Sequence, residues 1–147
     1  MSVEHAQFTI ERRYPAPLAR VWAAWADAEL KARWFVGSGD WARGDYELDF
    51  RVGGREVSRG RTPGGDVHTY NALYWDIVPD SRLVYTYEML LGERRMSVSL
   101  ATVTLHSDGD GTLLVLSEHG AFLDGLDAAA AREHGMGGLL DALGAVV

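Results

Sequence analysis

Hydrophobic positions follow two different periods along the chain, and the change of period divides it into elements. From Phe8 to Tyr14 (FTIERRY) apolar and polar residues alternate, which predicts a half-buried strand. From Leu18 to Phe35 the apolar residues recur at helical spacing instead, and Pro17 suits the first turn of a helix. Asp27 lies where it can cap a second helix. The chain is therefore predicted to begin with one strand and two short helices.

The period of two returns between Asp40 and His119 and predicts six further strands. Turn signals such as Pro63-Gly64-Gly65-Asp66 separate these segments by hairpin-length links. Strands joined so closely pair in antiparallel order, so we expect an antiparallel meander. The predicted strands cover residues 46–52, 55–61, 68–78, 83–91, 96–106 and 113–119.

The last stretch, Phe122 to Val147, again has helical spacing and predicts one long helix. An apolar stripe begins at its first residue and continues through Met136 and Leu140. Asp124 and Asp127 are expected near the helix start, where carboxylates accept from free N–H groups and complement the helix dipole. This helix needs a broad apolar surface elsewhere in the chain to cover its stripe.

Three glycines interrupt the predicted long helix. In a helix interior, Gly135, Gly137 and Gly138 each cost about 1 kcal/mol relative to alanine. Close approach to a sheet, or open space beside the helix, would account for them. The alternative is a kink, or a break into two shorter helices.

The predicted elements leave part of the sheet uncovered. Seven strands at ~4.8 Å spacing form a twisted sheet about 30 Å wide, whereas one helix is only ~10–12 Å across. A cavity between sheet and helix is therefore expected, of the kind that binds small, mostly apolar molecules. The ligand-binding residues predicted for it are Trp34, Phe50, Tyr74, Tyr87, Met96, Glu118, Met136 and Leu140.

Composition narrows the class of protein. The chain has 147 residues, of which 47% are hydrophobic and 24% charged, as expected for one globular domain spanning residues 1–147. A net charge of −7 argues against nucleic acid as a partner. The absence of cysteine excludes disulfides and thiolate metal sites. No signal peptide or apolar run of ~18 residues is present, so we expect no membrane insertion and a cytoplasmic location.

Several blocks of sequence resemble one known superfamily. They are FTIERRYPAPLARVWAAWADAELKARWF, ELDFRVGGRE, DIVPDSRLVYTYEM, GTLLVLSEHGAF and REHGMGGLLDALGA. Together with the element order, they are similar to the START-like, or helix-grip, superfamily (SRPBCC), in the group related to the activator of the heat-shock-protein-ninety ATPase. Many members have Gly-Trp where this chain has Gly135-Met136. The resemblance implies an α+β helix-grip fold: a curved seven-stranded antiparallel sheet with two short helices and a long C-terminal helix packed across it.

No strong catalytic motif is present. The sequence contains no nucleophile elbow and no phosphate loop, and its histidines lack metal-ligand spacing, so no cofactor or metal is predicted. Weak catalytic candidates are Glu88, Glu118 and Arg51, since a carboxylate in an apolar cavity has a raised pKa and can exchange protons. The alternative is that these residues face solvent, or that Arg51 pairs with Asp49.

Three functions remain compatible with the sequence. The first is binding of a small apolar or aromatic molecule; the second, an enzyme like the polyketide cyclases and dehydratases of the superfamily; the third, a chaperone-associated interaction protein. A homodimer is also expected, because Tyr74 and Trp75 cannot both point inward. The covered surface would be part of the outer sheet face, or the cavity mouth near Trp34 and Trp41. Burial of both apolar runs within one subunit is the competing possibility.

Overall fold

The computed structural model describes residues 1–36 and 42–147, and Trp41 lies outside these ranges. Within them, the predicted order of elements is confirmed. The elements are β1 (Val3–Tyr14), α1 (Leu18–Ala26), α2 (Ala28–Phe35), β2 (Ala42–Leu48), β3 (Arg55–Arg61), β4 (Val67–Val78), β5 (Arg82–Leu91), β6 (Arg94–Asp108), β7 (Gly111–Leu123) and α3 (Ala129–Val146).

The strands form one antiparallel sheet in the order β1-β7-β6-β5-β4-β3-β2. Six strands follow one another as the predicted meander, and β1 joins its far edge by pairing with β7, with Ile10 opposite Leu116. All three helices lie on the inner face of this sheet, where α3 contacts both α2 and β1. The architecture is α+β with the helix-grip arrangement.

The two short helices form where the sequence predicts them. Asp27 caps α2, and its side chain accepts a hydrogen bond from the backbone N–H of Leu30 at 3.0 Å. Trp25 and Trp34 are fully buried, with ring centroids 4.8 Å apart, and the Trp34 indole donates to the carbonyl of Ala24 at 2.9 Å. These contacts fix the two helices to each other at one end of the sheet.

The long helix begins later than the sequence analysis predicts. Phe122 belongs to β7, and the chain turns at Asp124 and Gly125, whose φ angles are 55° and 66°. A right-handed helix cannot contain such residues, so α3 starts only at Ala129. Asp127 does not cap α3; one of its carboxylate oxygens binds Arg132 instead.

The glycines of α3 leave one uninterrupted helix, so the predicted alternative of a break into two shorter helices is wrong. Gly137 is buried where the helix approaches β1, and a Cβ there would lie 3.1 Å from Nη2 of Arg12. A Cβ at Gly135 or Gly138 would meet nothing within 4 Å. Close approach and open space, the two expected reasons for these glycines, therefore both occur in one helix.

Candidate functional site

A pocket of about 360 Å³ lies between the inner sheet face and α3. The floor comes from β3, β4 and β5, one wall from α3, and the remaining wall from the end of α2. Most of the lining is aromatic or aliphatic. The main lining residues are Phe35, Tyr70, Tyr85, Tyr87, Met89, Arg132, Gly135, Met136 and Leu139, with His68 and Asp127 also present.

Three tyrosines of β4 and β5 form the floor of the pocket. The Tyr87 ring contacts both others, with centroids 4.9 Å from Tyr70 and 6.2 Å from Tyr85. Burial raises the pKa of all three hydroxyl groups above the ordinary value, so they remain protonated near neutral pH. Alternation along the strands puts these rings on the inner face.

A buried arginine of α3 forms the polar end of the pocket. The terminal nitrogens of Arg132 donate to Tyr87 Oη at 3.0 Å, Ser97 Oγ at 2.8 Å, Ser99 Oγ at 3.5 Å and Asp127 Oδ2 at 2.7 Å. The guanidinium carbon also lies 5.2 Å from the centroid of the Phe122 ring. Its positive charge is thus balanced by one carboxylate and its terminal donors are already in use.

Glu118 lies beside this arginine on β7. The carboxyl group is 2% exposed, and its Oε2 accepts from the Tyr87 hydroxyl at 2.8 Å. Its Oε1 is buried without a hydrogen-bond partner among the described residues. Burial raises the pKa of Glu118 to about 7, although the Tyr87 hydrogen bond and the Arg132 charge oppose the shift. Glu118 can therefore exchange a proton near neutral pH.

The structure places the predicted ligand-binding residues in three groups. Tyr87 and Met136 line the pocket, and Glu118 lies directly behind Tyr87. The other predicted residues pack outside the pocket lining. They are Trp34, Tyr74, Met96 and Leu140, which are buried in the core, and Phe50, which is half-buried against Trp22 and Tyr74.

The remaining catalytic candidates lie away from the pocket. Arg51 is 70% exposed in its side chain and pairs with Asp49 at 2.8 Å, as the alternative interpretation has it. Glu88 projects from the outer sheet face, since its neighbours Tyr85 and Tyr87 have the inner-face parity, and it lies 3.7 Å from Arg95. Because neighbouring residues of a strand point to opposite faces, the side chains of Glu88 and Tyr87 lie on opposite sides of the sheet.

A second buried ion pair, which the sequence analysis did not identify, lies near the two short helices. Lys31 contacts both carboxylate oxygens of Glu56, at 3.0 and 2.9 Å, and both residues are almost fully buried. Tyr46 and Tyr74 also donate to Glu56, at 2.6 and 2.8 Å. The Lys31 ammonium lies 4.4 Å from the centroid of the Phe35 ring. This cluster is sealed within the protein and therefore has a structural role.

A wider depression of about 550 Å³ lies on the outer sheet face, around His5, Thr86, Leu100 and His119. Its described lining contains no Phe, Tyr, Trp or Met side chain, whereas several such side chains line the inner pocket, so we place the candidate site on the inner face. Among the described residues, no cluster of histidine and carboxylate side chains could hold a metal ion. In the same part of the chain, no helix is long and apolar enough to cross a membrane.

The sequence did contain signals for the residues that were missed. Arg132 precedes Met136 by four residues and thus lies on the buried stripe of α3. Ser97 and Ser99 share a strand face with Ala101 in β6. A cation on the buried stripe of a helix, together with small hydroxyl residues on the buried face of a strand, indicates a buried polar contact.

Family comparison identifies the class of protein. The model of the family "Activator of Hsp90 ATPase homolog 1-like protein" matches residues 15–147, so the chain belongs to this family and to the SRPBCC superfamily that its fold defines. No curated protein sequence is significantly similar to the chain.

Solved structures of bacterial proteins share this fold. An uncharacterised protein from Rhizobium leguminosarum is 46% identical, with a TM-score of 0.94 over 99% of this chain and 95% of its own. The Mll3558 protein from Rhizobium loti is 49% identical, with a TM-score of 0.92 over the whole of both chains. The CV1439 protein from Chromobacterium violaceum is 24% identical, with a TM-score of 0.81 over 96% of each chain, which is a likeness of fold alone.

Proposed function

We propose that this protein binds a small, mostly apolar molecule in the pocket between the sheet and α3. The observation that carries the proposal is the pocket itself: about 360 Å³, lined by aromatic and thioether side chains, with a few polar groups at one end. Small-molecule sites in proteins have this volume and this mixture of groups. Met89 on the floor and Met136 on the α3 wall can adapt to ligands of different shape.

The pocket wall offers a sharp test at Gly135, which lines the pocket and has open space around its missing side chain. A helical side chain leans toward the preceding turn, so leucine at this position would extend over Ala131 and Arg132 into the pocket. The G135L variant should therefore lose affinity for naphthalene-sized aromatic molecules, measured by thermal shift and calorimetry. Native mass spectrometry of the purified parent protein would identify a molecule that co-purifies.

Gly138 provides the matched control, because it is exposed on the same helix, has nothing within 4 Å of its Cβ position, and is not among the pocket-lining residues. Both substitutions replace glycine by leucine in one helix and should raise stability by up to about 1 kcal/mol. G138L should keep the ligand response of the parent. Equal ligand binding by G135L and the parent would refute this pocket as the binding site.

Acid–base catalysis is a second candidate function, which the position of Glu118 favours. The pKa of this carboxyl is about 7, so its ionised form can take the proton that the Tyr87 hydroxyl donates to it, 2.8 Å away, while that hydroxyl takes a proton from a bound molecule. If a co-purified molecule is slowly converted, Glu118→Gln should retain binding and lose turnover. If Glu118→Gln binds the molecule more weakly but converts the bound molecule at the rate of the parent, Glu118 does not have this catalytic role.

The outer sheet face supports the proposal of a homodimer. Trp75, Val98 and Leu100 remain 58%, 46% and 43% exposed, so the apolar runs are not all buried within one subunit. A second copy of the chain is the cover we propose for this face, because two-fold homodimers are the commonest assemblies. A chaperone partner, as the family name suggests, is the alternative. Light scattering at micromolar concentration tests the dimer, and a concentration-independent monomer mass would refute it.

A further inference from the structure

The hydroxyl groups of Tyr70 and Tyr85 make no hydrogen bond within the part of the chain that the structure describes. Those of Tyr14, Tyr46, Tyr74 and Tyr87 all do. Buried polar side-chain atoms without a partner in those ranges are Trp25 Nε1, Asn71 Oδ1 and Glu118 Oε1. The two hydroxyls are not among them, so they are open to the pocket that their rings line.

These open hydroxyls are hydrogen-bond donors among mainly aromatic and aliphatic side chains. Burial keeps the pKa of both well above the ordinary tyrosine value, so neither loses its proton near neutral pH. An unpaired polar group in an apolar site costs stability, and a ligand acceptor would remove that cost. The tyrosines thus favour a ligand with an oxygen that accepts hydrogen bonds.

The charges around the pocket disfavour a ligand that is itself an anion. Arg132 is already neutralised by Asp127, and its terminal nitrogens are already hydrogen-bonded. The neighbouring carboxyl of Glu118 is difficult to ionise because of burial. A ligand carboxylate at this buried end would meet the same desolvation cost, because the buried cation is already paired. Arg59 also lines the pocket, but its side chain is 50% exposed, so water and salt screen its charge. Burial lowers the pKa of His68, another lining residue, which keeps that group largely neutral.

We infer that the pocket selects neutral, mostly apolar molecules that carry a carbonyl oxygen, which accepts a hydrogen bond from the hydroxyl of Tyr70 or of Tyr85. This inference rests on the proposed binding function and specifies its ligand class. The ring system of such a ligand would lie against Tyr87 and Met136, which contribute apolar area without requiring a polar partner.

Three probes of matched shape test the inference: 2-acetonaphthone, 2-ethylnaphthalene and 2-naphthoate. In the Y70F/Y85F variant, 2-acetonaphthone should bind about tenfold more weakly than to the parent, a loss of about 1.4 kcal/mol that corresponds to one neutral hydrogen bond. The dissociation constant of 2-ethylnaphthalene should stay the same. For the parent, 2-naphthoate at about pH 8 should bind at least tenfold more weakly than the ketone.

Y70F/Y85F loses no protein hydrogen bond in the described ranges, and thermal unfolding checks that it folds. Tyr74→Phe is the control, because that hydroxyl binds Glu56 at 2.8 Å and its ring is not part of the pocket lining. It should lower stability and leave the preference for the ketone intact. An unchanged ratio of ketone to hydrocarbon affinity in Y70F/Y85F, or tighter binding of the carboxylate, overturns the ligand class while leaving the binding function standing. If none of the three probes binds the parent, the ligand class and the proposed function are both overturned.

Discussion

Replacing Glu118 by glutamine should remove a pH-dependent loss of stability. In the folded protein, burial raises the pKa of this carboxyl from 4.5 to about 7. Below about pH 4.5 the group is protonated in both the folded and the unfolded state and has no effect on the pH dependence. As pH rises from 4.5 to 7 the unfolded chain releases the proton while the folded protein retains it, so the free energy of unfolding falls.

The size of this loss follows from the shift of the pKa. Each pKa unit corresponds to 1.36 kcal/mol, so a change from 4.5 to about 7 predicts a cost of roughly 3 kcal/mol above pH 7. The side chain is only 2% exposed, so solvent screening reduces this little. Glutamine is uncharged at every pH and keeps an oxygen that can accept from Tyr87. Glu118→Gln should therefore be more stable than the parent at about pH 8.5, and the difference should shrink at about pH 5.

Urea unfolding of both proteins across this pH range is the assay. His68 contributes with the opposite sign, because burial lowers its pKa and stability then rises with pH. Since His68 is present in both proteins, its effect cancels in the difference between them. Glu88→Gln, which removes a carboxylate from the outer sheet face, is the control and should not reproduce the gain in stability of Glu118→Gln at about pH 8.5. Parallel curves of stability against pH for the parent and Glu118→Gln would show that folding does not raise the pKa of Glu118, and would refute this prediction.

Two further predictions concern stability and assembly. Lys31→Met should destabilise the protein by about 3–5 kcal/mol in urea unfolding, because it leaves the Glu56 charge buried without its cation. Adding Glu56→Gln to this variant should restore part of the lost stability. If Lys31→Met alone loses less than about 1 kcal/mol, the buried pair is contradicted. If the outer face forms a homodimer, Leu100→Asp should give a monomer by light scattering, because this side chain is 43% exposed there and a charge would remain buried in the interface. A dimer that persists in Leu100→Asp would place the interface elsewhere.

Hydrophobic period predicts this sheet well because one face is buried and the other faces water. In β7 the alternation of Leu114 and Leu116 extends to Glu118, so its inward orientation could be predicted from the sequence. The end of that strand could not be located in the same way. Phe122 fits the apolar stripe of a helix as well as the inner face of a strand, and the decisive feature is the positive φ of Asp124, a residue that favours turns and caps alike.

The polar cluster was harder to predict because its members come from separate elements. Arg132 reaches Ser97 and Ser99 through hydrogen bonds between side chains of α3 and β6, and the sequence of either element indicates a buried polar group without indicating its partner. The register shift between Met89 and Leu90 also changes the pairing of β5 with β6 at this point. A hydrophobic period of two or 3.6 residues predicts which face of a strand or helix is buried. It does not predict which side chains of two elements meet across a bulge, because that depends on tertiary geometry. The Lys31–Glu56 pair was missed for the same reason.

Several unfavourable features converge on one pocket, and this convergence is the strongest argument for its function. Gly135 costs about 1 kcal/mol in a helix where alanine would fit. Tyr70 and Tyr85 place hydroxyls without partners among the described residues in an apolar floor, and behind them Glu118 costs roughly 3 kcal/mol when ionised. Packing alone would favour alanine, phenylalanine and glutamine at these positions. Natural proteins break local rules of stability mainly where a site requires it. Repair at Gly135, or at Tyr70 and Tyr85 together, should therefore stabilise the protein and weaken ketone binding. Glu118→Gln should stabilise the protein and keep ligand binding, and repair at Gly138 should only stabilise it.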